Sequence, residues 1–371
     1  MDLGLFLMPL HDPLGDLPGL LKEDRDCIIL ADQLGFREAW VGEHYCSRSE
    51  PIPDPLQFMA SLLSDTKQIR LGPAVLNLPQ HHPVQVAANA ALFDHLSNGR
   101  FNMGVGPGGL QSDMEMFRTR DIDRQAAMLE SMQIIRMLWT TEPPYKFKGK
   151  FWDISLEKTL DMKMGIGPVI RPFQKPTPPI AVSAMSPNSK TAEAAGANGW
   201  GLISANFMPT STARTHWEVY SKAAAAAGHK PDRANWRLAR SILVTESAAE
   251  AEVYLSRPQT SVRWYFEYLH HSFAAKNILG VFKRSPDVPD EDVRVDRLLR
   301  DLVIIGDARY VIDRLIAIID EIGPFGGLLL AKKDWDDPPL HKRSYRLMAE
   351  QVMPVVRKYV SGLSGRVAAA A

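Results

Sequence analysis

Short apolar runs rich in β-branched and aromatic residues alternate with longer helical patterns along this chain of 371 residues. This alternation is typical of β-α units, in which a helix returns the chain from each strand to the next parallel strand. We predict eight strands, at 2–9, 38–45, 70–78, 100–106, 179–184, 199–205, 236–245 and 327–332. Eight such units predict an α/β fold, a (β/α)8 TIM barrel whose functional site lies at the carboxyl ends of the strands.

The segments between the strands carry helical patterns with recognisable ends. Pro55 and Pro83 suit the first turn of a helix, where a missing N–H is tolerated, and Gly35 and Gly228 suit the position after a helix. The predicted helices are 22–35, 55–66, 83–96, 124–140, 189–197, 211–228, 309–322 and 339–360.

We expect residues 1–371 to form one domain with two insertions. Segment 142–178 is rich in Pro, Gly and Lys and contains the hairpin-like YKFKGKFWDI, whereas segment 257–300 joins the aromatic RWYFEYLHHSF to an acidic stretch. Long insertions act as lids or oligomer contacts, or carry no ordered structure. The tail 361–371 is expected to be flexible.

The composition argues against several kinds of partner. Lys+Arg and Asp+Glu both number 43 and no basic run occurs, so neither nucleic acid nor an anionic membrane is expected to bind. No secretory signal is expected, because no cationic segment precedes the first short apolar run, and no apolar run reaches the length that spans a bilayer. Two cysteines, Cys27 and Cys46, are too few for a disulfide framework. We therefore expect a cytoplasmic protein with a neutral or apolar ligand.

Polar side chains follow the second and third predicted strands. Glu43, His44 and Tyr45 end the run AWVGEHY, and Asn77 begins NLPQHH. A histidine at a strand end has a structural role about as often as a functional one, but the mouth of a barrel favours function. Metal binding is not predicted, because no HExxH spacing occurs and adjacent rings cannot easily both point inward. These arguments apply to the four histidines that could converge on a metal ion, which are His11, His44, His81 and His82.

Two further segments suit a cofactor. The run RFNMGVGPGGLQSD, with Gly106, Pro107 and Gly108, allows close approach of a flat group or a phosphate, although a tight turn explains it equally well. It does not fit a dinucleotide-binding GxGxxG. Ser186 is predicted to cap the next helix and Ser189 to add a hydroxyl, which together would form an anion site, although capping alone would also explain these serines. Arg124 could supply a counter-charge or be a solvated residue at a helix start.

Nearly the whole chain resembles the bacterial luciferase-like flavin monooxygenases. The matching stretches, in order, are DLGLFLMP, AWVGEHY, IRLGPAVLNLPQHHPVQVA, LSNGRFNMGVGPGG, IIRMLW, FKGKFW, PPIAVSAMSPNS and VIIGDARYVIDRL before GGLLL. Within that family HWEVYSKAAAAAGHKPDR and DLVIIGDARYVIDRL resemble the group acting on terpenes and cyclic ketones, such as limonene 1,2-monooxygenase and the diketocamphane monooxygenases.

The resemblance implies a two-component FMNH2-dependent monooxygenase. A separate NAD(P)H:flavin reductase would supply reduced FMN, O2 would add at C4a of the flavin, and the hydroperoxyflavin would oxygenate a small hydrophobic substrate, such as a terpene or a cyclic ketone. The chain carries no nicotinamide domain of its own, which agrees with this division. A homodimer or higher homo-oligomer is also implied.

The resemblance also assigns roles to residues. His44 would donate or accept a proton beside the reactive face of the flavin, and Glu43 would orient this strand end or form a hydrogen bond with a neighbour. Asn77 would lie at the isoalloxazine edge. The resemblance also places Gly106, Pro107 and Gly108 along the ribityl chain, Met185 against the cofactor, and Ser186 and Ser189 at the phosphate. Arg124 is predicted to bind the cofactor from its position at a helix start, where this chain has DRQ and departs from the family's pattern.

An apolar substrate pocket is predicted from side chains in or just after strands, with the aromatic segment 264–268 nearby. Its members are Phe6, Met8, Tyr45, Phe207 and Met208. Two alternatives remain open: hydride transfer by a deazaflavin (F420) on the same barrel, and a flavin-binding protein without catalytic activity. The Glu43–His44 pair argues against the second.

Overall fold

The computed structural model of the chain describes residues 1–8, 10–333 and 335–370. Its strands are β1 (Asp2–Leu7), β2 (Glu38–Val41), β3 (Arg70–Pro73), β4 (Leu76–Asn77), β5 (Met103–Gly106), β6 (Tyr145–Lys148), β7 (Asp153–Leu156), β8 (Ile180–Ala184), β9 (Gly201–Ser204), β10 (Trp236–Thr245), β11 (Val303–Asp307) and β12 (Gly327–Ala331).

Helices occupy all eight predicted helical segments, although the helix that begins at Pro55 ends at Ala60 rather than at 66. They are α1 (Leu17–Gln33), α2 (Pro55–Ala60), α3 (Pro83–Leu96), α4 (Gln111–Met116), α5 (Arg124–Thr140), α6 (Lys190–Asn198), α7 (Thr210–Ala226), α8 (Ala248–Ser256), α9 (Ser261–Ala274), α10 (Val295–Leu302), α11 (Ala308–Ile322), α12 (Pro338–Leu347) and α13 (Met353–Ala370). Gly35 and Gly228 have φ of 77° and 78°, as their positions after helices predict. The predicted flexible tail 361–371 overlaps the end of α13, and residue 371 lies outside the described residues.

The strands form a nearly closed parallel barrel, which confirms the predicted TIM-barrel class. Hydrogen-bonded neighbours follow the order β3-β2-β1-β12-β10-β9-β8-β5-β4. The third predicted strand is split into β3 and β4, and β4 pairs with β5 to bring the two ends of this order together. β2 ends at Val41 rather than at 45, so the polar residues that follow it lie in a loop.

One strand was missed by sequence reasoning. β11 pairs in parallel with the far half of β10, from Ser241↔Val303 to Thr245↔Asp307, and extends the sheet beside the barrel. The run VIIGD carries a strand signal, and its Asp307 caps α11 by accepting a hydrogen bond from the Tyr310 N–H.

Side-chain alternation separates the barrel interior from the outer wall. Successive residues of a strand point to opposite faces, and one buried cluster takes a single residue from each of six strands: Phe6, Trp40, Ala181, Ile203, Ala239 and Leu329. Gly104 is needed beside this cluster, because a Cβ there would lie 1.9 Å from the Pro73 carbonyl oxygen. The much larger second cluster fills the space between the strands and the helices.

The two predicted insertions contain ordered elements. β6 and β7 form the predicted antiparallel hairpin in segment 142–178, and Glu130 of α5 accepts the Phe151 N–H at 2.9 Å at its turn. In segment 257–300, α9 crosses the carboxyl ends of the strands, where the Ser261 hydroxyl donates to the Lys333 carbonyl at 2.7 Å. Within the described part of the chain, no helix has the length and apolar character required to cross a bilayer.

Candidate active site at the carboxyl ends of the strands

The loop after β2 is shaped by a buried carboxylate from another part of the chain. Asp113 of α4 accepts the backbone N–H groups of Cys46 at 2.7 Å and Tyr45 at 3.2 Å. The same carboxylate lies 3.1 Å from His44 Nδ1. Because Asp113 is fully buried, these bonds hold the loop and the imidazole in one arrangement.

His44 lies between two carboxylates. Its Nε2 is 2.8 Å from Glu50 Oε2, and its side chain keeps 18% of its surface exposed. Burial alone would lower the pKa of His44, but the charge of Glu50 and the hydrogen bonds that the imidazole donates to both carboxylates raise that pKa to about 10. His44 is therefore an imidazolium at neutral pH and can act as a proton donor.

Glu43 ties the second and third strand ends together. Its carboxylate accepts the Asn77 N–H at 2.7 Å and lies 2.9 Å from His81 Nε2, while its carbonyl accepts from the Asn77 side-chain amide at 3.1 Å. Both carboxylate oxygens of this buried side chain are thus engaged. This geometry makes Glu43 a positioning group for Asn77.

Tyr45 lies at the rim of the barrel mouth. Its ring packs edge-on against Phe117 with centroids 4.8 Å apart, and its hydroxyl is 3.4 Å from His81 Nε2. Burial of the hydroxyl raises the pKa of Tyr45 above its ordinary value. The side chain is nevertheless 37% exposed, so it borders the predicted pocket rather than filling it.

The glycine-rich turn after β5 approaches the same strand ends. Gly108 has φ of 80°, a conformation that favours glycine, and a Cβ there would lie 3.2 Å from Gln80 Nε2 and 3.7 Å from the Asn77 side chain. Gln80 has buried amide atoms without a partner among the described residues. The Gln80 amide therefore presents unsatisfied polar atoms beside this turn.

The predicted phosphate end brings together the first turns of two helices. The Thr191 hydroxyl of α6 lies 3.4 Å from Gln125 Oε1 of α5. Arg124 Nη1 and Gln125 Nε2 are buried and, among the described residues, have no hydrogen-bond partner. These two donors of α5, next to the first turn of α6, fit a phosphate dianion such as the one that FMN carries.

One predicted cap was wrong. Ser189, not Ser186, caps α6, accepting the Ala192 N–H at 3.4 Å. Asn188 adopts φ of 51° just before the cap, and this turn delays the start of the helix to Lys190. Ser186 lies in the exposed turn before it, where its carbonyl is 2.8 Å from His216 Nε2, and Met185 is 38% exposed beside it.

The predicted substrate residues fall into separate places. Phe6 belongs to the cluster inside the barrel, with Met8 packed against it. Phe207 is buried under α9, with its ring centroid 5.5 Å from that of Phe273. Met208 lines a cavity outside the barrel wall instead, so the structure does not bring it together with the others.

Each of the four histidines considered as metal ligands has a hydrogen-bond or ion-pair partner of its own. His11 pairs with Asp24 at 2.9 Å, His44 and His81 contact the carboxylates described above, and His82 caps α3. Among the described residues, no group of three or more metal-binding side chains is placed to hold an ion.

Sequence reasoning missed a buried polar network under α9. Lys333 Nζ lies 3.1 Å from the Ser241 hydroxyl and 3.6 Å from the centroid of the Tyr265 ring. Asn206 donates to Ser241 at 3.0 Å and accepts from the Tyr265 hydroxyl at 3.0 Å. Burial lowers the pKa of Lys333 well below its ordinary value. The only signal in the sequence was a lysine pair directly after the last strand.

The sequence profile described as luciferase-like monooxygenase matches residues 1–324. The chain belongs to this family. The predicted family is thereby confirmed, and with it the enzyme class, a flavin-dependent monooxygenase.

Individual relatives of this luciferase-like monooxygenase span nearly its full length. 4-Hydroxyprotoasukamycin monooxygenase of Streptomyces nodosus subsp. asukaensis is 32% identical, covering 97% of this chain and 94% of that protein. Limonene 1,2-monooxygenase of Rhodococcus erythropolis is 29% identical, covering 95% and 86%. The oxygenating constituent of 3,6-diketocamphane monooxygenase of Pseudomonas putida, a type II Baeyer–Villiger enzyme solved with FMN, superimposes with a TM-score of 0.85 at 25% identity, covering 95% and 98%.

Proposed function

We propose that the chain is the oxygenase component of a two-component, FMNH2-dependent monooxygenase that uses O2 to oxygenate a small hydrophobic substrate. The observation that carries this proposal is a pair of buried donors, Arg124 Nη1 and Gln125 Nε2, on the barrel mouth that also holds His44; neither donor has a hydrogen-bond partner in the described part of the chain. A structural neighbour named as an oxygenating constituent in complex with FMN supports both the cofactor and the division into two components.

The residues that would hold FMN follow from the site. Arg124, Gln125 and the capped first turn of α6 would bind the phosphate, and the turn 106–108 with Asn77 would border the ring system. When bound in reduced form, FMN supplies the electrons that activate O2. The protein would contribute orientation, exclusion of water beneath α9, and the proton held on His44.

The substrate would be a terpene or cyclic ketone, bound against Phe6, Met8 and Phe207. These side chains offer apolar surface, and Tyr45 would close the rim. A separate NAD(P)H:flavin reductase would be the transient partner in the cytoplasm.

We further propose a homodimer or higher homo-oligomer, since Met164 and Phe173 of the first insertion are 71% and 52% exposed. Sedimentation that shows only a monomer at micromolar concentration would reject this proposal.

The proposal is tested by mixing anaerobic protein and reduced FMN with oxygenated buffer in a stopped-flow instrument. Slower flavin oxidation than in free solution, followed by product formation from a terpene or cyclic ketone, is expected. Oxidation at the rate of free FMNH2, together with tight binding of F420 and hydride transfer without O2, would instead support the deazaflavin alternative.

Replacing Arg124 with alanine is expected to weaken FMN binding roughly 10- to 100-fold, because a charge-assisted hydrogen bond contributes about 1.5–3 kcal/mol. Riboflavin, which lacks the phosphate, serves as the control ligand and should bind both proteins equally. The measurement is a fluorescence titration with each flavin. An equal loss for riboflavin and FMN would show that Arg124 supports the site's structure rather than the phosphate.

The pH dependence of turnover should report the proton on His44. Because its pKa is raised to about 10, kcat/KM is expected to stay high at neutral pH and to fall as pH rises through about 10. Glu50→Gln removes the carboxylate charge that raises this pKa, so the falling limb should move to lower pH. An unchanged limb in the variant would mean that another group controls it.

A further inference from the structure

A second cavity lies outside the barrel wall, away from the strand ends. It encloses about 500 Å³ between the starts of α7 and β11 and the face of α11, and Arg240 of β10 lines it. Ala239 belongs to the cluster inside the barrel, so the alternation of the strand turns Arg240 outward. The volume is in the range of small-molecule sites.

The charges around this cavity do not balance. Its two carboxylates are already paired with arginines that do not line it: Glu321 with Arg214 at 3.2 Å, and Asp301 with Arg297 at 3.8 Å. Three guanidinium groups that line the cavity have, among the described residues, no carboxylate within 4.0 Å. They are Arg240, Arg284 and Arg314.

Arg240 is the most informative of the three because it is only 3% exposed. Its Nη1 donates to the carbonyls of Ala239 at 2.9 Å and Ala205 at 3.3 Å, and its Nη2 reaches Thr210 Oγ1 only at 3.5 Å. Burial lowers the pKa of Arg240 to about 10, so it remains charged at neutral pH. The charge of Glu321 opposes this effect of burial, but among the described residues no carboxylate lies within 4.0 Å of Arg240. Burying such a cation is costly, and an anion in the cavity would offset that cost.

The start of α7 adds positive potential to the same cavity. The helix is 17 residues long, and its N-cap, Pro209, provides no side-chain hydrogen bond to the first turn. Thr210 and Ser211 of that turn line the cavity. Their backbone N–H groups and the helix dipole favour a negative charge there, as do the guanidinium groups.

We propose that this cavity binds a small organic anion through a phosphate-type oxyanion, at a site separate from the barrel mouth. Several cations from different elements converge on it, which suits a group with more than one negative charge better than a single carboxylate. The apolar side chains of Met208, Ile304 and Ile318 would contact the body of such a ligand.

The test is a calorimetric titration of the full-length protein with pyrophosphate at constant ionic strength, on an Arg124→Ala background that weakens the barrel-mouth site. Saturable binding is expected. Adding Arg284→Ala together with Arg314→Ala should lower the affinity for pyrophosphate at least tenfold, which is roughly the contribution of one charge-assisted hydrogen bond. These two side chains lie outside the core, so the variant should keep its fold, which circular dichroism checks. The matched control is Arg309→Ala, which removes an exposed charge from α11, the helix that carries Arg314. This control should bind pyrophosphate as the background protein does.

Two results would overturn the proposal. One is the absence of saturable pyrophosphate binding by the folded background protein. The other is equal binding of pyrophosphate by the Arg284/Arg314 double variant and the Arg309 control. That result would show that the arginines of this cavity do not bind the anion specifically. Neither result depends on whether the barrel mouth catalyses oxygenation.

Discussion

Turnover by His44→Ala is expected to fall about 10²–10⁴-fold, because a positioned proton donor contributes on that scale. The affinity for FMN should stay within a factor of about three, because His44 is not among the residues proposed to bind the phosphate. Single-turnover product formation and a flavin titration measure the two quantities separately. The imidazolium held by Glu50 and Asp113 would be lost, but Asp113 would still hold the loop through the backbone of Tyr45 and Cys46. The variant should therefore remain folded.

Two comparisons sharpen this experiment. His229→Ala removes an exposed imidazole far along the chain and should leave turnover unchanged. Asp113→Asn keeps His44 but weakens its fixation, so it should lower turnover less than His44→Ala and shift the alkaline limb of the pH profile. Equal turnover by His44→Ala and the unmodified protein would remove His44 from the mechanism.

Asp24→Ala is expected to lower the free energy of unfolding by about 3–5 kcal/mol, the typical cost of removing one partner from a buried ion pair. Asp24 of α1 is fully buried and joins two loops at the barrel mouth, since His11 and Lys332 each lie 2.9 Å from its carboxylate. These residues follow β1 and β12, so losing the carboxylate loosens the place where those strands meet. Urea unfolding measures the change.

Asp26→Ala provides the matched control in the same helix. Its carboxylate pairs with Lys22 at 2.6 Å on the surface, and such pairs contribute about 0–1 kcal/mol.

The contribution of Asp24 to the free energy of unfolding should also depend on pH. The folded-state pKa of Asp24 is depressed, against the effect of burial, by Lys332 and His11, so its stabilisation is present above pH 3.8 and lost as pH falls below that value. Equal losses in the two variants would contradict the proposed role of Asp24.

The barrel was predictable because its signals are local. Strand and helix periods come from the order of apolar and polar residues, and ends such as Pro83 depend on neighbours within one turn. β11 was missed because the same apolar run can belong to a strand or to the start of a helix, and its pairing with β10 depends on residues about 60 positions away in sequence. The N-cap of α6 is Ser189 rather than the predicted Ser186, because the turn at Asn188 delays the start of the helix, and the composition of this segment did not reveal that turn.

The sequence by itself determined that His44 and Asn77 would follow neighbouring strands and so face the same barrel mouth, because parallel strands deliver their carboxyl ends to one side. Only the tertiary structure decided that Asp113, 69 positions beyond His44, would hold its ring, and that Arg240 would face a cavity outside the wall. The physical reason is that periodicity specifies which way a side chain points from its own element. Which charge it meets depends on how distant elements pack together.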